Sequence, residues 1–292
     1  MERGRIIKGI SGFYEVLLTN QTVVTCKARG RFRKQHLTPM VGDYVEVQPQ
    51  NDGFWAVQNF LPRKNALLRP PVSNIDQLAI VIAASAPKPD WLLVDKLILQ
   101  SMLLKVSPLL ILNKLDEQDP GIVQMFQADY TSAFTTIQVS VRTGLGLDTL
   151  KSNLSGKISC FAGQSAVGKS SLLNMLMPEL ALTTGELTRK TDRGRHTTRH
   201  AELWPYCGGA VLDTPGFSQF DTIDISQEDL NGCYPEFGIE PGHCRFAGCT
   251  HISEPDCAVK QLLQSGKLSG GRYARYIELE NEIQQRRKHQ YD

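Results

Sequence analysis

The chain of 292 residues has room for two or three domains, and its 41% hydrophobic and 21% charged content is ordinary for a globular protein. No uncharged apolar run is long enough to span a bilayer, and the start MERGRIIKGI lacks the apolar region of a secretory signal, so a cytoplasmic protein without membrane contact is expected. The net charge of +2 hides a division: 11 Lys and Arg against 5 Asp and Glu in residues 1–69, 13 against 19 in 70–240, and 8 against 6 in 241–292, which points to a polyanion-binding module joined to something else.

Residues 1–62 read as all-β. Arg5–Leu18, Thr22–Ala28, Asp43–Gln48 and Phe54–Phe60 carry β-branched and aromatic residues, punctuated by Thr19-Asn20-Gln21, Val41-Gly42-Asp43 and Asn51-Asp52-Gly53. Four or five short strands suit a small closed barrel, with an OB-fold the first choice. The stretch Lys27–Lys34, KARGRFRK, surrounds Phe32 with cations. Such a loop would neutralise phosphates while the ring stacks on a base. A proline-bearing basic linker, Leu61–Val72, follows.

Gln77–Ala84 is a continuous apolar run, the pattern of a central parallel strand buried on both faces. Trp91–Val106 has helical spacing, with Leu93, Leu97 and Leu104 on one side. Pro108–Leu112 is a second buried strand and ends in Asn113-Lys114-Leu115-Asp116. A ligand sits at such a strand end in an open α/β sheet. The Asp116 carboxylate can accept from guanine N1–H and the N2 amino group together, and adenine offers neither donor in that arrangement. Asn113 would bond the base edge, and the Lys114 stem would pack over the ring. A helix end and strand in Tyr130–Val139 lead to Ser140 and Val141, either of whose N–H groups is placed to meet guanine O6. Leu147–Leu154 is a short amphipathic helix.

The next strand, Ile158–Ala162, runs into Gly163, Gly168, Lys169 and Ser170, which fit G-x-x-x-x-G-K-[ST]. The loop residues Gln164, Ser165, Ala166 and Val167 would aim backbone N–H groups at phosphate oxygens, and Ser171 continues into a helix Ser170–Met177 ended by Pro178. Lys169 would reach the β- and γ-phosphates and Ser170 would hold Mg²⁺. Leu182–His200 is long, polar and poor in apolar residues, as functional loops are. Within it, Thr197 or Thr198 would complete the Mg²⁺ shell, with His196 beside them. Ala210–Leu212 is a strand leading to Asp213-Thr214-Pro215-Gly216. Asp213 would hold Mg²⁺ through water, and the Gly216 N–H would touch the γ-phosphate. Position 217 is Phe, where Ras-like switches carry a water-positioning Gln. His196 is the candidate to orient water instead, with Gln219 behind it.

Near the C-terminus, Cys244-x4-Cys249-x-His251-x5-Cys257 offers three thiolates and an imidazole, a closed tetrahedral Zn²⁺ site of the structural kind. His243 and Cys233 are possible substitutes. Tyr273–Arg287 reads as a helix with Tyr276, Leu279 and Ile283 on one face and cations at its end.

The guanine-reading NKLD stands before the P-loop and DTPG after it, whereas in ordinary GTPases the P-loop comes first. A sheet keeps its form under such a cut and rejoining where termini lie close. With GRHTT at 194–198, DTPGF at 213–217 and the zinc spacing, the chain resembles the circularly permuted, ribosome-associated GTPases of the RsgA type over nearly its whole length. The resemblance implies a 1–68 OB-fold that contacts ribosomal RNA, a permuted α/β GTPase domain at 69–224 and a zinc module at 225–292. It implies GTP and GDP as ligands, the small ribosomal subunit as partner and stimulant in its late maturation, and His196 as catalytic. Ala166 departs from a usual Gly, and Val141 from a usual Ala. A monomer is expected. The rival readings are an ATPase and an RNA-binding adaptor that holds nucleotide without turnover.

Overall fold

The N-terminal segment forms five strands: β1 (Glu2–Ile10), β2 (Phe13–Leu18), β3 (Val23–Ala28), β4 (Tyr44–Pro49) and β5 (Trp55–Phe60). The computed structural model describes residues 1–28, 32, 37–67, 71–180, 201–213, 225–238, 244–246 and 248–290. The stretch Arg5–Leu18 is a hairpin rather than one segment. Ser11 and Gly12 both take left-handed φ, 51° and 87°, the geometry of a two-residue turn matched to strand twist. The order β1-β2-β3-β5-β4, with β4 returning to β1 and β3 parallel to β5, closes an OB-like barrel. Ile6, Val16, Cys26, Val45, Val47 and Val57 fill it.

Phe32 belongs to that filling. It is only 5% exposed and meets Phe60 edge-on at 4.8 Å. The expectation that it stacks on a base is therefore corrected: barrel closure took the ring inward. Two linker cations, Arg63 and Lys64, are structural as well. Arg63 grips the buried Asp43 with two bonds of 2.7 Å, while Ser73 Oγ donates to the same carboxylate and Lys64 pairs with Asp76. This clamp sits where a small hairpin, β6 (Ala66–Leu67) and β7 (Val72–Ser73), leaves the barrel.

The middle of the chain is an α/β sheet. Its elements are β8 (Gln77–Ala83), α1 (Trp91–Leu103), β9 (Ser107–Asn113), α2 (Pro120–Tyr130), β10 (Thr135–Gln138), α3 (Leu147–Leu154), β11 (Ile158–Ala162), α4 (Lys169–Leu176), β12 (Glu202–Tyr206) and β13 (Gly209–Asp213). Every residue of β8 is buried, as its unbroken apolar run requires. The strands lie in the order β10-β9-β8-β11-β13-β12, parallel except for β12. The chain winds outward through β9 and β10, then returns to place β11 beside β8. That reversal is a topological switch point, where a crevice opens at the carboxyl ends of the strands. The edge strand β12, with Pro205 tolerated at the edge, also touches β1. Lys8 stands opposite Glu202 and bonds it at 3.0 Å, so barrel and sheet form one eleven-stranded array.

The C-terminal segment adds α5 (Gln227–Gly232), α6 (Ala258–Gln264) and α7 (Gly270–Gln290). Tyr276, Leu279 and Ile283 of α7 are buried with Leu99 of α1. An ion network reinforces this seam. Arg272, 1% exposed, meets Asp95 at 2.7 Å and also Glu236, while Arg275 bridges Asp95 and Asp129. Tyr130 donates to Asp95 at 2.6 Å. Burial alone would lower the Arg272 pKa, but Asp95, Tyr234 and Glu236 outweigh it and raise the value. Arg272→Ala should cost about 3–5 kcal/mol, because removing one partner strands buried charge. A lowered urea midpoint checks this.

Candidate functional site

The two motifs predicted to share a ligand are bonded to each other. Asn113, the last residue of β9, is buried and donates from Nδ2 to Val167 O at 3.0 Å. Lys114, left-handed at φ 67°, sends Nζ to Ala166 O at 2.9 Å and to Ala86 O at 2.6 Å. NKLD, the P-loop and the turn after β8 thus meet at one point on the carboxyl edge. Glycine is required at both ends of the loop. A Cβ on Gly163 would lie 2.3 Å from Val81 O, and one on Gly168 would lie 2.4 Å from Asn113 Nδ2.

Inside the loop, Lys169 Nζ donates to Gly163 O and Gln164 O, both at 2.7 Å. The Gln164 side chain accepts from the Asp90 N–H at 3.3 Å, which ties the loop to the start of α1. Ser165 is exposed and Val167 is anchored in the core. Ser170 and Ser171 lie in the first turn of α4, whose N-terminal N–H groups favour anions. Ala166 holds φ at 63°, a region an L residue enters at a cost. Ala166→Gly should therefore stabilise the protein by about 0.5–1 kcal/mol, since that region costs about 1–2 and glycine's extra chain entropy cancels about half. A raised thermal midpoint checks it.

At the NKLD end, Ser140 is buried and its hydroxyl donates to Asp116 Oδ1 at 2.6 Å. This bond lowers the Asp116 pKa against the opposing effect of burial, with help from Arg142 and Lys114. The carboxylate is thus held charged and fixed in orientation. Arg142 stands 3.8 Å from Asp116 Oδ2, a neighbour the sequence did not single out. The Ser140 N–H is committed to Leu145 O at 3.0 Å. Asn113 Oδ1 is buried with no hydrogen-bond partner among the described residues.

Asp213 ends β13, aligned with Phe161 of β11, so its backbone lies at the strand edge that carries the P-loop. His196, Thr197, Thr198 and Gly216 lie outside the described residues, as do Phe217, Gln219 and His243.

The predicted metal ligands converge. The ligand atoms of Cys244, Cys249, His251 and Cys257 all lie within 4.8 Å of one another. His251 Nδ1 is 3.6 Å from Cys244 Sγ and 3.4 Å from Cys257 Sγ. Tetrahedral bonds of about 2.3 Å to sulfur and 2.1 Å to nitrogen imply roughly 3.6 Å for that separation, so the set fits such an ion. Cys233 lies elsewhere, its thiol against Leu99 O. The loop around His251 is braced from two sides. Glu254 accepts from Thr250 N, Thr250 Oγ1 and Ile252 N; burial opposes its charge, but these bonds win and bring its pKa to about 2. Tyr273 and Tyr276 of α7 donate to the carbonyls of His251 and Thr250.

A P-loop locked against an NKxD motif at a switch point, with the motifs in shuffled order, defines a circularly permuted P-loop GTPase. Residues 60–223 match the profile described as RsgA GTPase, and residues 3–54 that described as RsgA N-terminal domain. The chain belongs to the RsgA GTPase family. Among its relatives is the protein named small ribosomal subunit biogenesis GTPase RsgA of Caldanaerobacter subterraneus, 43% identical over 100% of this chain and 99% of the relative. One of the same name from a Geobacillus species is 43% identical over 98% and 99%. Among solved structures, YjeQ from Thermotoga maritima superposes with a TM-score of 0.83 at 33% identity, covering 97% of this chain and 98% of that one. YloQ, titled a circularly permuted GTPase, gives 0.80 at 36%, covering 98% and 96%.

Proposed function

We propose that this protein is a cytoplasmic GTPase that acts in late maturation of the small ribosomal subunit, gripping the subunit in its GTP form and leaving after hydrolysis. The observation that carries the reading is the pair of bonds from Asn113 and Lys114 to the P-loop carbonyls, which joins the NKLD motif to the P-loop and so supports one shared nucleotide crevice. In this reading, Asp116 accepts from guanine N1–H and N2–H. Asn113 Nδ2 has a second proton beyond its bond to Val167 O, and that proton suits guanine N7. With the Ser140 N–H already spent, Val141 N–H is the donor for O6. The N–H groups from Gly163 to Ser171 and the Lys169 ammonium surround the phosphates. Ser170, Asp213 and either Thr197 or Thr198 would hold Mg²⁺, which when bound neutralises charge between the β- and γ-phosphates. Gly216 N–H meets the γ-phosphate, and His196 orients the attacking water in place of the Gln that Phe217 replaces.

The same reading divides the chain into an RNA-contacting barrel at 1–68, the GTPase domain at 69–224 and a module at 225–292 whose Cys₃His set takes one structural Zn²⁺. Among the described residues no helix is long and apolar enough to cross a membrane. GTP hydrolysis titrated separately with small and large ribosomal subunits tests the function. Stimulation by the small subunit alone is expected. No stimulation by either would favour a nucleotide-holding adaptor.

A further inference from the structure

Phe32 is buried, so the aromatic surface of the barrel lies elsewhere. Phe13 opens β2 directly after the Ser11-Gly12 turn, and Phe54 precedes β5 directly after the turn at Asn51–Gly53. These are the loops between strands 1 and 2 and between strands 4 and 5. They meet through the two rings, whose centroids are 5.6 Å apart. Phe13 is 42% exposed, with Ile10 across the hairpin 43% exposed. Large apolar groups left uncovered in a cluster mark a contact surface. An ammonium borders the cluster: Lys27 of β3 stands opposite Phe13 in the ladder and holds its Nζ 3.9 Å from the Phe54 centroid. Asp52 shares that ammonium at 3.0 Å, and Phe54 N–H donates to the other Asp52 oxygen, fixing the turn. Among the described residues of this rim, Lys27 and Asp52 are the charges that face the rings. In the sequence, Ala28 is followed directly by the cation-rich run Arg29–Lys34.

Resting on the RNA-contacting role given to the barrel above, we propose that Phe13 and Phe54 form a stacking platform for an unpaired RNA base, with Lys27 beside it for the adjoining phosphate. In barrels of this type the loops 1–2 and 4–5 frame the oligonucleotide path. An exposed ring, Phe13, braced by Phe54 and bordered by an ammonium supplies what a single strand binds: a π-face for a base and positive charge for its backbone. A duplex keeps its bases in the stack and has nothing to offer the rings.

The test uses the full chain, a fluorescein-labelled oligo(A) strand of about ten nucleotides and anisotropy over a series of salt concentrations. Phe13→Ala and Phe54→Ala should each weaken single-strand binding by about 5- to 150-fold, the range for loss of one stacked base, with the salt slope unchanged. Phe54→Trp should keep the affinity, and Lys27→Gln should reduce the salt slope by about one. Binding of the same sequence as a duplex should not respond to either ring. Wild-type affinity in the Phe13→Ala/Phe54→Ala double variant overturns the platform, as does an equal loss for duplex. If that variant keeps single-strand affinity and loses the small subunit, the patch meets protein and the proposal fails. Subunit-stimulated hydrolysis by the wild type is measured in parallel: its presence with an unresponsive platform refutes only the platform, and its absence refutes the ribosomal role.

Discussion

Replacing Asp116 by asparagine should lower the affinity for GDP and GTP by roughly 10²- to 10⁴-fold and create affinity for xanthosine nucleotides. The carboxylate accepts two hydrogen bonds from guanine in this reading, each about 1.5–3 kcal/mol when one partner is charged. Asparagine keeps one acceptor and presents an N–H₂ to the other guanine donor, so one bond is lost and replaced by opposed dipoles. Xanthine carries a carbonyl at that corner, and the amide can then pair with both positions. The Ser140 hydroxyl bond survives, because an amide oxygen accepts as a carboxylate does. Unfolding should barely change, since the Asp116 side chain keeps that local bond and lies outside the core. Titration with fluorescent GDP, XDP and ADP reads the result. GDP binding within about threefold of wild type, a difference under 1 kcal/mol, would sink the assignment of Asp116 to the base and bring back an adenine-nucleotide reading.

What was legible in the sequence shares one property: it is local. The strand Ile158–Ala162 and the helix Leu147–Leu154 appear with the bounds that pattern and flanking turns assign. The P-loop, NKLD and the metal spacing were readable because their chemistry constrains neighbours a few positions apart. The rest depends on partners far along the chain. Phe32 sits in a cationic run and reads as surface, yet Phe60 decides its burial. Arg272 and Arg275 resemble ordinary helix charges until Asp95 and Asp129 are placed beside them. The strand β12 is short, carries Pro205 and gains its place from pairing with β13 and β1. At the nucleotide site, the sequence pattern makes Asn113 and Lys114 contacts to the base. Both donate to P-loop carbonyls, and Lys114 also to Ala86 O, so these side chains assemble the crevice.

The Cys₃His cluster, with the Zn²⁺ proposed for it, gives the second large effect. Stripping the ion with a chelator, or Cys257→Ser, should unfold the loop from Cys244 to Cys257 and leave GDP affinity within about twofold of wild type, under 0.5 kcal/mol. Structural zinc contributes on the order of 10–16 kcal/mol where measured in small zinc-dependent folds, against about 1–2 kcal/mol for each of the Glu254, Tyr273 and Tyr276 hydrogen bonds that also brace this loop. Among its described residues, Cys249, His251 and Cys257 are the ligand side chains buried within it. Burial pushes the Cys249 thiol up to about 12, so packing alone opposes the thiolate that the ion requires. The seam to the GTPase sheet is built differently. It rests on Tyr276, Leu279 and Ile283 and on the Arg272 and Arg275 ion pairs, none of which is a ligand. Loss of the ion should therefore stop short of α7, and hydrogen exchange should rise across 244–257 while α1 and α2 stay protected. Cys233→Ser is the control: its thiol faces Leu99 O, away from the cluster, and one zinc per chain should remain. Were chelation to abolish GDP binding together with the exchange protection of α1, the seam would depend on the metal, and the two units would have to be treated as one cooperative fold.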